Sequence, residues 1–218
     1  MDSPSHRVLI VDDHPIVREG LRALISQQND LVVCGEAESV AEAMSLVDST
    51  HPDIAVIDIS LKGSDGLELI RRIKEHDSSV RMLVSSMHDE SMYARRSLRA
   101  GALGFVSKEN AARQIIDAIR RVLDGRIYLS EEMSEQLISR MLRKEDEPGT
   151  LSVESLSDRE FEVFRWIGHG LTTREIADRL NLSVKTVETY RQRIRQKLDL
   201  RNGAELAHRA SQWVLEES

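Results

Sequence analysis

Short apolar runs alternate with amphipathic patterns along the first 125 residues, and this alternation limits the possible folds more than any other feature. Runs rich in valine, isoleucine and leucine are typical of strands that are covered on both faces, and five occur here: RVLIV, LVVCGEA, DIAVID, VRMLVSS and LGFVS. The segments between and after them have helical periodicity, over 15–27, 40–49, 67–76, 91–100 and 111–123. Strands joined by helical crossovers are parallel. The pattern therefore predicts a doubly wound α/β sheet whose ligands bind beyond the carboxyl ends of its strands.

Length and composition leave room for a second domain. At 218 residues the chain is longer than the usual domain of about 100–150 residues. It has no apolar run near the ~18–20 residues that cross a bilayer, and MDSPSHR lacks the apolar core of a secretory signal. Cys34 is the only cysteine, so no disulfide can form within the chain. These features predict a cytoplasmic protein with no membrane partner.

Three acidic residues follow two of the predicted strands. Asp12 and Asp13 come after VLIV, and Asp58 comes after IAVI. Because adjacent parallel strands lie about 5 Å apart, we expect the three carboxylates to converge in one crevice. Like charges so close raise the pKa of each other's carboxyl groups, and Mg²⁺, a hard cation that prefers oxygen ligands, relieves the repulsion. The cluster therefore predicts a Mg²⁺ site, although Asp is also common in turns for structural reasons.

Two further polar side chains are expected at the same edge of the sheet. Lys108 follows the fifth strand, and Ser86 ends the fourth. With the acids they suit phosphoryl transfer onto a carboxylate, in which Asp58 is the nucleophile and Mg²⁺ neutralises phosphate oxygens. Lys108 and Ser86 would bind the remaining oxygens. Polar residues at four different strand ends are a more specific signal than any one of them alone.

Residues 7–124 resemble the receiver domain of two-component signalling. The likeness rests on the motifs VLIVDDHP, IAVIDISLKGSDG, VSSMHDE and AGALGFVSK. It implies a five-stranded sheet of flavodoxin-like order 2-1-3-4-5, with Asp58 as a phosphoacceptor that receives its phosphoryl group from a histidine kinase. It also implies that Asp13, Asp58 and the Ser60 carbonyl bind Mg²⁺ directly, and that Asp12 binds it through water.

The same resemblance implies a conformational switch. Ser86 and Phe105 stand at the hydroxyl and aromatic positions that move together when a receiver is activated. Lys62 is a departure, because the broader family often has proline there. Gly63 and Gly66 indicate that the loop still turns.

A linker separates this region from a second, helical one. Residues 130–142 have the pattern of one more helix, and RKEDEPGTLSVES is typical of a polar linker whose Pro-Gly pair stops a helix. Four short helices are predicted beyond it. Two begin with capping boxes, Ser157 with Glu160 and Thr172 with Glu175, and Ser183 can cap a third.

The whole chain has a net charge of −7, yet the stretch 183–201 is basic, which suggests contact with a nucleic acid at this element alone.

Residues 156–212 resemble the four-helix DNA-binding domain of NarL/FixJ-type (LuxR-like) regulators. The sequence LSDREFEVFRWIGHGLTTREIADRLNLSVKTVETYRQRIRQKL follows the family pattern almost without interruption. Apolar residues at helical spacing predict one small core, made of Phe161, Phe164, Ile167, Ile176, Leu180, Leu182, Val187, Ile194 and Leu198. The opposite face of the third helix would lie in the major groove of DNA.

Side chains on this face predict two kinds of DNA contact. Glu188, Thr189 and Gln192 form a compact patch that suits base edges, because Glu accepts from cytosine, Gln pairs with adenine and a Thr methyl touches thymine. Phosphate contacts are expected from the basic residues of the helix and from the start of the preceding one: Lys185, Arg191, Arg193, Lys197, Thr173 and Arg174. A small protein-binding domain with a solvated basic face is the alternative interpretation.

The predicted organisation is a phosphoacceptor receiver over 1–125, a linker with a helix over 126–152, and a LuxR-type helix-turn-helix domain over 153–218. The predicted function is phosphorylation-dependent transcription regulation through DNA binding, without enzymatic activity beyond the receiver's own phosphorylation and dephosphorylation. Expected partners are a histidine kinase, double-stranded DNA and a second copy of the chain after phosphorylation, with RNA polymerase as a further candidate. Two alternatives stay open: an aspartyl-phosphate phosphotransferase or phosphatase, and a receiver whose last domain binds proteins.

Overall fold

The computed structural model describes residues 5–61, 66–87, 90–143, 153–180 and 182–216. The chain divides into two compact units, Met1–Arg143 and Lys144–Ser218. Lys62, Gly63 and the last part of the predicted linker, residues 144–152, lie outside the described residues. Every helix in the described ranges is too short or too polar to cross a lipid bilayer.

A five-stranded parallel sheet forms the centre of the first unit. Its strands are β1 (His6–Val11), β2 (Leu31–Ala37), β3 (Ile54–Ile57), β4 (Arg81–Ser86) and β5 (Gly104–Ser107). Their order is β2-β1-β3-β4-β5, which confirms the predicted doubly wound fold of order 2-1-3-4-5. In the register, Val11 lies opposite Ile57, Ile57 opposite Val84, and Val84 opposite Phe105. The carboxyl ends of β1, β3, β4 and β5 therefore lie side by side.

Five helices cover the two faces of this sheet, and each begins and ends within one residue of its predicted bounds. They are α1 (Pro15–Ser26), α2 (Val40–Thr50), α3 (Gly66–His76), α4 (Glu90–Ala100) and α5 (Ala111–Leu123). On one face, fully buried side chains of β1 pack with those of α1 and α5, among them Val8, Ile10, Ile25, Ile115 and Ile119. Each such aliphatic side chain contributes roughly 1.5–3 kcal/mol by leaving water. The helices thus fix the strand ends in place.

The chain then closes the free edge of β5 and forms α6 (Glu131–Arg143). The Tyr128 amide donates to the Leu103 carbonyl oxygen at 3.0 Å, and the Phe105 amide donates to the Tyr128 carbonyl oxygen at 2.9 Å. Met133 is buried at the start of α6. The helix predicted over 130–142 is therefore present, and it belongs to the first compact unit.

The second unit contains the four predicted helices. They are α7 (Asp158–Gly168), α8 (Thr173–Leu180), α9 (Val184–Lys197) and α10 (Gly203–Glu216), preceded by one 3₁₀ turn at Val153–Ser155. Seven of the nine predicted core residues are buried, and Leu180 and Leu182 are half-buried. Trp213 of α10 completes the core, with its ring centroid 5.1 Å from that of Phe161 and 6.1 Å from that of Phe164. Both predicted capping boxes form, and the Ser183 side chain caps α9.

Candidate functional site

Main-chain hydrogen bonds extend the sheet to three of the sequence-predicted site residues. Each of these residues follows a strand, and its amide donates to a neighbouring strand: Asp12 to Ala37 (3.0 Å), Asp58 to Val11 (2.8 Å) and Lys108 to Ser86 (2.8 Å). Side chains at such positions stand at the carboxyl edge, where ligands of doubly wound sheets bind. The backbone thus directs both acids and the lysine toward one place.

The three acidic side chains meet at this edge although they are almost fully buried. Asp12, Asp13 and Asp58 are 2%, 7% and 3% exposed. One ligand atom from each, together with one from His14, all lie within 4.8 Å of one another. The convergence expected from the strand spacing is therefore present. Buried carboxylates this close require a cation or proton to offset their repulsion.

The Lys108 ammonium supplies part of that positive charge. Its Nζ lies 2.6 Å from Asp12 Oδ2 and 2.7 Å from Asp58 Oδ2, so it bridges the two carboxylates. Burial alone lowers the pKa of Lys108, but the charge of Asp58 and the hydrogen bonds to both carboxylates outweigh burial and raise it above its usual value. Lys108 is therefore held as a cation beside Asp58.

The carboxylate oxygens that Lys108 does not contact fit a hard divalent cation. The Ser60 amide donates to Asp58 Oδ1 at 3.2 Å. Asp13 Oδ1 is buried and has no hydrogen-bond partner among the described residues. His14 Nδ1 lies 2.8 Å from that oxygen, but the contact does not have hydrogen-bond geometry. A buried carboxylate oxygen without a donor is an available ligand for Mg²⁺, which binds oxygen.

The other predicted receiver residues lie on or directly after the strands that end at this cluster. Ser86, at the end of β4, is fully buried, and Phe105 on β5 is 1% exposed. Ser60 is half-buried two residues after Asp58. The structure thus places the hydroxyl and the aromatic side chain on adjacent strands that end at the site.

Sequence reasoning missed two residues that shape the loop after β1. Arg18 Nη1 donates to the Asp12 carbonyl oxygen at 2.6 Å, and its guanidinium lies 3.7 Å from a Glu36 carboxylate oxygen. His14 donates its amide to Asp12 Oδ1 at 2.9 Å. The available signal was an arginine one turn into the helix that follows the acid pair, because its long side chain can reach back to the strand end. Arg18 and His14 hold Asp12 in position.

Gly66 lets α3 begin directly against the site. A Cβ atom there would lie 2.6 Å from the Ile59 Cα and closer still to the Asp58 carbonyl oxygen. The Gly66 amide donates to the Ile59 carbonyl oxygen at 3.0 Å. Only glycine permits this approach of the helix to the loop that carries Asp58.

The second candidate site is the outer face of α9. Val187 and Ile194 are buried, and the opposite face exposes Lys185, Glu188, Thr189, Gln192 and Arg193. Arg191 is half-buried, and Arg174 is exposed at the start of α8. The Thr189 hydroxyl donates to the Lys185 carbonyl oxygen at 2.9 Å within the helix. An exposed polar helix face of this kind suits the major groove.

Two residues predicted to contact DNA are bonded within the unit. The Thr173 hydroxyl donates to Glu188 Oε1 at 2.9 Å, and so joins the start of α8 to the face of α9. Lys197 lies at the far end of α9, where its Nζ contacts Glu160 Oε2 at 2.7 Å and the Ser155 carbonyl oxygen at 3.2 Å. Burial raises the pKa of Glu160, but the hydrogen bonds from Lys197 and Ser157 lower it below its usual value.

Comparison with known proteins identifies a family for each of the two parts of the chain. The family model of the response regulator receiver domain matches residues 8–120, and that of the bacterial regulatory proteins of the luxR family matches residues 154–210. Response regulator UvrY of Escherichia coli (strain K12) is 33% identical over 203 residues, which are 93% of this chain and 92% of UvrY.

Two solved structures extend the likeness to the fold. RcsB from Salmonella enterica serovar Typhimurium, bound to promoter rprA in the presence of the phosphomimetic BeF₃⁻, is 27% identical with a TM-score of 0.57. Two RcsB dimers bound to two parallel DNAs give 28% identity and a TM-score of 0.59. Each match covers 95% of this chain and 98% of RcsB. With two domain models in this order and relatives matched over nearly their whole length, the chain belongs to the NarL/FixJ-type response regulators, in which a receiver precedes a LuxR-type helix-turn-helix domain.

Proposed function

We propose that this response regulator controls transcription and is switched by phosphorylation of Asp58. One observation carries the proposal: Asp58 is buried at the end of β3, its carboxylate is 2.7 Å from the Lys108 ammonium, and two further acids lie beside it. Cations on two sides of an acceptor carboxylate neutralise the charge of an incoming phosphoryl group. These surroundings favour a phosphoacceptor role for Asp58 over a purely structural role in a turn.

The acids would hold Mg²⁺. Asp13, Asp58 and the Ser60 carbonyl would bind it directly, and Asp12 would bind it through water. When bound, Mg²⁺ would supply positive charge that offsets the charge of the phosphoryl oxygens. The orphaned Asp13 Oδ1 supports this assignment, since it is the buried ligand atom without a donor in the described part of the site.

In the transfer step a histidine kinase would be the phosphodonor. One Asp58 oxygen forms the bond to phosphorus, the phosphorus–nitrogen bond of phosphohistidine breaks, and its electron pair leaves with the imidazole. Lys108 exchanges its contact with Asp58 for one with a phosphoryl oxygen, and the Ser86 hydroxyl donates to another. Hydrolysis of the resulting acyl phosphate returns Asp58. We propose no catalysis beyond these reactions of the receiver itself.

The switch would start from Ser86 and Phe105. Movement of the Ser86 hydroxyl toward the phosphoryl group vacates space that the Phe105 ring can enter. Because the Phe105 amide is bonded to Tyr128, this change occurs next to the segment that leads into α6. The faces of α4 and α5, which flank β5, would then support a homodimer. A dimeric state is in keeping with the RcsB dimers bound to DNA.

The output would be sequence-specific binding of double-stranded DNA. Glu188, Thr189 and Gln192 would read base edges, and because the Thr189 hydroxyl is used within the helix, its methyl group is available for thymine. Phosphate contacts would come from the exposed basic residues Lys185, Arg193 and Arg174, and from Arg191. Lys197 could join them only by giving up its bonds to Glu160 and Ser155. DNA and RNA polymerase as partners would place the protein in the cytoplasm.

The decisive experiment compares DNA occupancy across the genome for the unchanged protein, Asp58→Ala and, as a matched control, Asp124→Ala at the exposed end of α5. We expect Asp58→Ala to lose most bound sites and the control to keep them. In parallel, mass spectrometry after treatment with a small phosphodonor and Mg²⁺ should find the label on Asp58 alone. Full labelling of Asp58→Ala would refute the phosphoacceptor assignment. Failure to detect salt-dependent binding to duplex DNA would favour a protein-binding output domain.

A further inference from the structure

Thr173 is the first residue of α8, and it follows Thr172, which forms a capping box with Glu175. The Thr173 side chain takes no part in that capping box. The Thr172 hydroxyl accepts from the Glu175 amide at 3.4 Å, and Glu175 Oε2 accepts from the Thr172 amide at 2.8 Å. These two residues satisfy the helix end reciprocally. The Thr173 side chain, half-buried one position later, is therefore available for a contact outside its own helix.

That contact is made with the residue we propose to read a base. Thr173 Oγ1 donates to Glu188 Oε1 at 2.9 Å, and Arg191 Nε lies 4.0 Å from the other oxygen, Glu188 Oε2. Glu188 is 58% exposed, and a glutamate so exposed samples many rotamers unless a neighbour restrains it. Here a hydroxyl from α8 and, more weakly, a guanidinium one turn along α9 restrain the carboxylate.

The Thr173 hydroxyl cannot donate to Glu188 and to a DNA phosphate at the same time. A threonine hydroxyl has one hydrogen, and both a carboxylate and a DNA phosphate only accept hydrogen bonds. While Thr173 donates to Glu188, its hydroxyl has no hydrogen left for a phosphate. The Thr173 main-chain amide at the helix start does not compete with this bond and can still face the DNA backbone.

We infer that Thr173 is a specificity-determining residue that acts by positioning the Glu188 carboxylate, and that its side chain is not a phosphate contact. The inference rests on the proposed reading of a base by Glu188. A carboxylate already directed at the base loses less side-chain freedom on binding, and restraining one such side chain changes affinity by about twofold to tenfold. The gain applies to the base pair that Glu188 reads and leaves contacts to phosphates unchanged.

The test uses the full-length protein and duplexes selected by it from a random library. Affinity is measured for the selected site, for its single-base variants and for unrelated DNA across salt concentrations. The variants are Thr173→Val, which keeps the β-branched shape without the donor, Thr173→Ser, which keeps the donor, Glu188→Ala, and Thr173→Val combined with Glu188→Ala. Thr173→Ala serves in the same role if the valine variant does not fold.

We expect Thr173→Val to reduce discrimination about twofold to tenfold at the base pair that Glu188→Ala also relaxes. Thr173→Ser should keep most of that discrimination. In the Glu188→Ala background, Thr173→Val should cause no further loss of discrimination at that base pair. In the protein that keeps Glu188, Thr173→Val should leave the affinity for unrelated DNA unchanged.

Two failures are distinguishable. If Glu188→Ala leaves the base preference intact, the proposed base reading is wrong, and the inference falls with it. If Glu188→Ala relaxes the preference but Thr173→Val does not, only the positioning role is wrong. A uniform loss of affinity for every duplex, equal with and without Glu188, would instead identify the Thr173 hydroxyl as a phosphate contact.

Discussion

Replacement of Lys197 by methionine separates two roles that this residue could have. Its sequence position on α9 predicts a phosphate contact, whereas in the structure its ammonium lies 2.7 Å from Glu160 Oε2. Methionine keeps most of the unbranched side chain and removes the charge. If the ion pair is the main role, the variant loses stability and keeps its DNA contacts.

The cost follows from the environment of Glu160. Its side chain is 4% exposed, so without Lys197 its charge would be buried with less compensation. Removing one partner of a fully buried ion pair costs about 3–5 kcal/mol. Because Lys197 itself is 41% exposed, water can partly replace the ammonium, and we expect a loss of about 1–3 kcal/mol in the free energy of unfolding.

The pKa of Glu160 predicts how the stability lost in Lys197→Met depends on pH. A carboxyl group whose pKa is lower in the folded state stabilises the fold above its unfolded pKa, and this contribution disappears as the pH falls through the folded pKa. The pKa of Glu160 is lowered from 4.5, so the ion pair contributes fully at neutral pH. The difference between the unchanged protein and Lys197→Met should therefore be largest at neutral pH and shrink below a pH of about 4.5.

Tryptophan fluorescence during urea unfolding measures this effect in the correct domain. The chain has 2 tryptophans, Trp166 and Trp213, and both belong to the second compact unit. Trp213 packs against two phenylalanine rings of the core, so its emission reports loss of that core. The receiver contributes no tryptophan signal.

Lys185→Met is the matched control, because Lys185 is exposed at the start of the same helix. We expect this control to keep its stability and to lower the salt dependence of DNA binding by about one unit of slope, as loss of one phosphate contact does. Lys197→Met should instead lose stability and keep the salt dependence of DNA binding of the unchanged protein. Unchanged stability in Lys197→Met, together with a loss of slope equal to that of the control, would refute the ion-pair role.

Three further predictions concern the two sites. Gly66→Ala should slow phosphodonor labelling of Asp58 severalfold and destabilise the receiver by about 1–3 kcal/mol. The reason is that the added Cβ would displace the loop that carries Asp58. Labelling at the normal rate would contradict this prediction. Asp13→Ala should abolish Mg²⁺ binding in calorimetric titration, and an unchanged affinity would exclude Asp13 as a ligand. Gln192→Ala should cost about 1–3 kcal/mol at one base pair, whereas Arg193→Ala should weaken binding to all duplexes and reduce its salt slope. A changed base preference in Arg193→Ala alone would reverse these two roles.

Local patterns in the sequence were enough to identify the elements and the residues at their ends. Apolar runs mark where each strand stops, and parallel strands bring their carboxyl ends to one edge, so Asp12, Asp58 and Lys108 could be placed together without coordinates. Helix bounds were equally accessible, because capping side chains such as Ser157 and Ser183 act within one turn of the residues that they cap.

The sequence by itself therefore determined the fold, the family and the face on which each functional residue lies, whereas only the tertiary structure decided which atoms pair. Lys185 and Lys197 are equivalent as basic residues of one helix, yet Lys197 meets Glu160, 37 residues earlier in the chain. Periodicity assigns a side chain to a face of its helix. Its partner depends on how a second helix crosses that face, which core side chains distant in the sequence set together. For that reason the bond between Thr173 and Glu188, and the lack of a hydrogen bond to Asp13 Oδ1, became visible only in three dimensions.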